Sequence, residues 1–136
     1  MLVSNQGLRV PRGLGEQINV EPTIIIDTRE QDPLVFSRLK TVSGSLLTGD
    51  YSVVGLEALF AVERKSNEDL VSCCVGKNRE RFERELHRLR GFRFKRLMVI
   101  GSEEEILRGQ YRSGIRPQAV MATLGAFEVR YDLPVA

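Results

Sequence analysis

The sequence predicts a three-layer α/β domain with a central mixed β-sheet flanked by helices. Three observations lead there. Short apolar or β-branched runs such as "TIIID" (23–27), "LFAVERK" (59–65) and "KRLMVIG" (95–101) have the length and composition of buried strands. Other segments carry the helical period, with Phe82, Leu86 and Leu89 falling on one face. The strands come first and helices interleave afterwards, an order that places a sheet between covering layers. At 136 residues the chain builds one core of ordinary size and is too short for two comfortable domains.

Taken in order, residues 1–21 are Gly-rich and without periodicity, and read as a loosely structured leader. "TIIID" ends in Asp27 and is expected to be a central strand. In "DPLVFSRLK", Asp32 fits an N-cap and Pro33 the first position of a short helix. "SGSLLTGDYSVVG" has strand composition broken by Gly49, and "LFAVERK" is the next strand. Ser66, with Asp69 three residues on, has the spacing of a capping box that opens a helix to about Val75. Asn78 is the expected cap of the following helix. "KRLMVIG" reads as a fully buried strand, and Glu103 to Leu107 as a short acidic helical turn. Pro117 starts an amphipathic helix that turns Val120, Leu124 and Phe127 inward, and "LPVA" begins one more strand.

Composition excludes several classes. With 42% hydrophobic and 28% charged residues the chain is globular rather than disordered. No apolar run approaches the roughly 20 residues that span a bilayer, and the N-terminal stretch lacks the apolar region of a secretory signal. The expectation is an intracellular protein, in cytoplasm, nucleoid or nucleus, with no membrane partner. Cys73 and Cys74 are adjacent and suit neither an ordinary disulfide nor a zinc site, so they read as buried thiols.

Net charge is only +2, but its distribution is uneven. From Lys77 to Arg96 nine basic residues face three glutamates, so this segment carries about +6 while the remainder is acidic. Either a phosphate-binding face or a solvated helix laced with ion pairs such as Glu80–Arg84 accounts for that.

Four carboxylates stand at the ends or turns of apolar strands: Asp27 and Glu30 in "DTRE", Asp50 in "GDY" and Glu63 in "ERK". Burying acids without partners is costly. A hard cation explains the placement, because Mg²⁺ takes oxygen ligands and keeps waters. Lys65 lies two residues beyond Glu63, so in a strand the two project from one face. Metal-held acids that activate water, beside a lysine that orients it or stabilises developing charge, form the set that phosphodiester hydrolysis requires.

"GDY…VERKSNED" resembles the signature of the XPF nuclease family: Gly49-Asp50, a spacer, Glu63-Arg64-Lys65, three residues, then Asp69. "IIIDTREQ" and "RPQAVMATLGAFEVRYDLPV" are similar to flanking parts of that family's nuclease domain, so the likeness runs from about Thr23 to Val135. It implies a restriction-endonuclease-like fold over residues 22–136 and Mg²⁺-dependent cutting of DNA near branches such as 3′ flaps or forks, with Mn²⁺ as a substitute ion. It implies Asp50, Glu63, Arg64 and Lys65 as the catalytic motif, with metal held by Asp50, Glu63 and the backbone carbonyl of Arg64. Asp27 and Glu30 would complete a second metal position. DNA, branched or duplex, is the implied partner, contacted by the basic helix through Lys77, Arg79, Arg81, Arg84 and Arg88, and a homodimer through the nuclease domain is implied as well. Two departures stand out: no helix-hairpin-helix segment follows, and the domain is expected to be cut short at its C-terminal end.

Simpler readings stand beside these. Ser66 and Asp69 are explained locally as helix-capping residues. Arg64, on the strand face opposite Glu63 and Lys65, suits an ion pair with a carboxylate, and Glu30 could stabilise the start of a helix. Two alternatives to a branch-cutting nuclease remain: a non-catalytic DNA-binding scaffold subunit, and a same-fold nuclease acting on unbranched DNA.

Overall fold

The β-branched run after Pro22 forms the first strand of a five-stranded sheet. A computed structural model describes residues 21–136, and the expected leader, residues 1–21, lies outside them except for Glu21. The strands are β1 (Thr23–Asp27), β2 (Lys40–Gly44), β3 (Tyr51–Val53), β4 (Phe60–Ser66) and β5 (Phe94–Ile100). The helices are α1 (Asn67–Ser72), α2 (Gly76–Arg90), α3 (Glu103–Leu107) and α4 (Pro117–Arg130). Strand order is β2-β1-β3-β4-β5. The outer pairs, β1 with β2 and β4 with β5, are parallel, and the central pairs are antiparallel, so the sheet is mixed as expected.

Ala61 of β4 and Leu97 of β5 are fully buried under Leu70 and Val71 of α1, Phe82, Leu86 and Leu89 of α2, and Val120 and Phe127 of α4. This is the core. Tyr51, on the opposite face by strand alternation, meets Phe36 edge-on with ring centroids 6.0 Å apart. Both cysteines are buried and free, and burial pushes the Cys74 thiol up to about 11.

Several expectations change. No helix follows Asp32–Pro33. That segment's polar groups find distant partners instead: the Leu34 N–H donates to the Tyr51 hydroxyl at 2.9 Å, and the Arg64 guanidinium donates to the Asp32 carbonyl. β2 covers "KTVSG", ahead of the expected strand, because its pairing with β1 selects those residues. α2 starts at Gly76 with Val75 as its cap residue rather than at Asn78, and the Arg79 N–H closes its first turn on the Val75 carbonyl. α1 ends at Ser72, short of Val75. β5 is not fully buried. It lies at the sheet's edge, with Leu97 buried and Phe94 and Ile100 exposed, and its outer side makes one isolated bridge to Val135, where "LPVA" is expected to begin a strand.

Candidate functional site

Antiparallel register builds the site. β1 pairs with β3 so that Ile26 faces Tyr51, and β3 pairs with β4 so that Tyr51 faces Val62. One residue beyond these pairs come Asp27, Asp50 and Glu63, side by side on three neighbouring strands. The backbone holds that row, because the Asp27 N–H donates to the Asp50 carbonyl at 2.9 Å and the Asp50 N–H to the Val62 carbonyl at 2.8 Å. Gly49 makes the entry turn. Its φ is +83°, and a Cβ there would sit 3.1 Å from the Val62 carbonyl oxygen. Like charges directly opposite on neighbouring strands destabilise a sheet. Three in a row need a reason.

The three acids are held differently. Asp27 is buried, and its carboxylate accepts from Arg29 Nε at 2.8 Å, from the Arg29 N–H at 3.3 Å and from the Leu46 N–H at 2.9 Å. Burial alone would raise its pKa, but these hydrogen bonds outweigh it and hold the carboxyl below the usual range. Asp50 is half-buried, and its carboxylate accepts one N–H, from Arg64 at 2.8 Å. Burial, with the charges of Glu30 and Asp27 behind it, raises its pKa despite that bond. Glu63 is buried with Lys65 Nζ at 3.4 Å. Burial first and the Asp50 charge second push its carboxyl to about 8, which Lys65 only partly offsets. Asp50 and Glu63 thus share too little positive charge to ionise comfortably together.

Lys65 and Arg64 alternate across β4 as the strand period requires. Burial would depress the Lys65 ammonium, but Glu63, Cys73 and Glu85 outweigh it and raise its pKa. Its Nζ also sits 4.6 Å from the centre of the Phe82 ring. Arg64 pairs with Glu30 at 3.7 Å, the carboxylate partner its strand face anticipates. Below this group Ser66 caps α1, its hydroxyl accepting from the Asp69 N–H at 3.1 Å. Among the described residues no group of three His, Cys, Asp or Glu side chains has the geometry to hold a metal ion. Of the three acids in the row, Asp27 has the most hydrogen-bond partners, while Asp50 has one N–H and Glu63 one ammonium.

The basic helix divides into two kinds of residue. Lys77, Arg81, Arg84 and Arg88 are exposed and fall within about 60° of one another at 3.6 residues per turn. They form one stripe, turned away from Phe82, Leu86 and Leu89. Arg79 belongs to the interior side: it donates to the Cys74 carbonyl at 3.2 Å, pairs with Glu83 at 3.6 Å and lies 5.5 Å from the Phe127 ring centre. The i,i+4 pair on α2 is therefore Arg79–Glu83, in place of the expected Glu80–Arg84.

Sequence reasoning passed over Arg29, Phe82 and Glu85 as neighbours of the site. Arg29 lies inside the quoted "DTRE" run. Phe82 was legible only as core, and Glu85, half-buried one turn further along α2, carries no local signal.

The mixed sheet thus lines up three acids across its antiparallel centre beside a strand-borne lysine. The chain belongs to the ERCC4 domain family, whose model matches residues 26–136, and it shares the fold of XPF structures. It is similar to XPF from Aeropyrum pernix, with a TM-score of 0.66 and 22% identity over 84% of this chain and 52% of that one. It is equally similar to XPF from Aeropyrum pernix in complex with DNA, with a TM-score of 0.66 and 21% identity over 85% and 55% of the two chains. The chain spans about half the length of these solved structures. None of the curated proteins matches it. No helix among the described residues is long and apolar enough to cross a membrane.

Proposed function

We propose that this chain is a metal-dependent DNA endonuclease domain that hydrolyses phosphodiester bonds near branches such as 3′ flaps or forks. One observation carries the reading: Asp50 and Glu63 lie on adjacent strands with the Lys65 ammonium beside Glu63 at 3.4 Å, and both carboxyl pKa values are raised, Asp50 by burial with the Glu30 and Asp27 charges and Glu63 by burial with the Asp50 charge. Such a pair fits Mg²⁺, which is commonly held by one or two carboxylates and keeps several waters. Mn²⁺ is the substitute. In this reading Asp50, Glu63 and the Arg64 carbonyl hold the ion, and Asp27 with Glu30 border a second position. A bound ion supplies Lewis-acid charge and an activated water.

The chain's own residues do the remaining work. The Arg64 N–H aims the Asp50 carboxylate. The Arg64 guanidinium ties β4 to Glu30 and to the Asp32 carbonyl, bracing the loop beside the acids. Lys65 keeps an ammonium in the site to orient water or stabilise the charge that develops on the phosphoryl oxygens. The stripe of Lys77, Arg81, Arg84 and Arg88 spans about 16 Å at 1.5 Å per residue, long enough to follow several phosphates. The DNA complex of XPF from Aeropyrum pernix supports DNA as partner. A homodimer through this domain and an intracellular location belong to the same reading.

The test incubates purified protein with Mg²⁺, Mn²⁺ or Ca²⁺ and labelled duplex, single-stranded, 3′-flap and fork DNA. Cleavage with Mg²⁺ and Mn²⁺, little with Ca²⁺, and preference for branched substrates are expected. Lys65→Ala and Asp50→Asn should each lose at least 10²–10³ in rate, in line with loss of a comparable electrostatic group. Retention of more than about a hundredth of the wild-type rate in Lys65→Ala, against that same scale, rules out its role. Absence of cutting by the wild type on every substrate rules out the reading.

A further inference from the structure

Phe82 is placed in the core by the helical period, and a core position alone asks only for a large apolar side chain. Its ring does more. One contact is edge-to-face with Phe127, centroids 5.6 Å apart at 78°. Another is with Lys65, whose Nζ stands 4.6 Å from the ring centre while the lysine side chain is only 15% exposed. The ammonium therefore has two close holders, the Glu63 carboxylate at 3.4 Å and the Phe82 ring, with the Glu85 charge adding attraction beyond ion-pair distance.

Those holders respond differently to a divalent ion. Glu63 is one of the two acids that the proposed function assigns to the ion, and an ion bound there would weaken the carboxylate's hold on Lys65 and repel the ammonium. A lysine on a flexible four-carbon stem would then swing toward solvent. The negative face of an aromatic ring attracts an ammonium and is not consumed by a hard cation, which prefers oxygen. We propose that Phe82 is a positioning residue whose ring holds the Lys65 ammonium in the site while a divalent ion occupies Glu63. The inference rests on the nuclease reading only for its consequence in catalysis. α2 also carries the exposed stripe on another side, so the ring and the proposed phosphate contacts are fixed to one rigid element.

Two measurements on the full chain test it. In ¹H–¹³C spectra the Lys65 ε-methylene signal, assigned by its loss in Lys65→Ala, should be shifted upfield by the Phe82 ring both without and with saturating Mg²⁺. Return of that signal to the position of a free lysine when Mg²⁺ is added to the wild type overturns the proposal without any variant. In single-turnover cleavage, Phe82→Leu should lower the rate about tenfold or more, the range of a desolvated cation–ring contact, with DNA and Mg²⁺ affinities within about twofold of wild type. Replacing Phe82 by mono-, di- and trifluorophenylalanine keeps the core shape and drains the ring face, so the rate should fall stepwise with fluorination. A rate independent of fluorination overturns the proposal, since a purely structural ring predicts that result. A wild type that cuts nothing overturns the proposed function, and the ε-methylene signal still decides the role of Phe82.

Discussion

Glu63→Gln, melted across a range of pH in EDTA, tests the charge balance of the site directly. In the unfolded chain this carboxyl titrates near its ordinary 4.5, and in the folded protein at about 8. Between those values the folded state keeps a proton that the unfolded state has lost. Stability therefore falls as pH rises through the window, and the cost is complete only above the folded value. At about 1.36 kcal/mol per unit, moving from pH 6 to pH 9 should cost the wild type about 3 kcal/mol that the glutamine variant does not lose. For a chain of this size that is roughly 8–10 °C in melting temperature, at roughly 3 °C per kcal/mol. Glutamine keeps the volume and a carbonyl for Lys65, so packing is not the variable. Millimolar Mg²⁺ should recover most of the wild-type loss near pH 8, because a bound cation favours the ionised acid, and should do little for Glu63→Gln. Parallel pH profiles for the two proteins would show that Glu63 is not holding a proton, and the argument from crowded acids would fail.

Two further outcomes separate surface from interior. Arg81→Ala with Arg84→Ala should flatten the log–log salt dependence of duplex binding by about 2, near 0.9 for each phosphate left without its cation, while Arg79→Ala should leave that slope alone and cost about 1–2 kcal/mol of stability through its ring and carbonyl interactions. Salt titrations and urea melts of both variants check this, and an unchanged slope in the double variant would make the stripe a merely solvated face. Gly101→Ala should destabilise by more than about 2 kcal/mol, because φ there is +144° and a Cβ would lie 2.3 Å from the Asn67 amide nitrogen. That amide donates to the Ser102 carbonyl and to Glu105, so it cannot retreat freely, and a loss below about 0.5 kcal/mol would contradict the packing around it.

What the sequence determined by itself was what depends on neighbours a few residues apart. The strand at "FAVERKS" shows in its composition, and its period of two sets Glu63 and Lys65 on one face with Arg64 on the other. Ser66 caps the next helix through a hydrogen bond three residues away. The helical period of Phe82, Leu86 and Leu89 marked the core. The order of strands and helices carried the mixed sheet, and "GDY…ERK" carried the family. Tertiary structure alone decided the row of Asp27, Asp50 and Glu63, because register across three strands is set by backbone pairs 12 or more residues apart. It decided that Asp27 gains the Leu46 N–H, 19 residues on, and that burial outweighs the partners of Asp50 and Glu63 and raises their pKa values. It turned Asp32–Pro33 from an expected helix into a loop, since the Tyr51 hydroxyl and Arg64 compete for its backbone. It also took Arg79 out of the basic face and set Phe82 against Lys65. The division has one physical cause: periodicity and caps are written in local spacing, whereas the desolvation of a charge and the partner that offsets it depend on which distant segments the fold brings together.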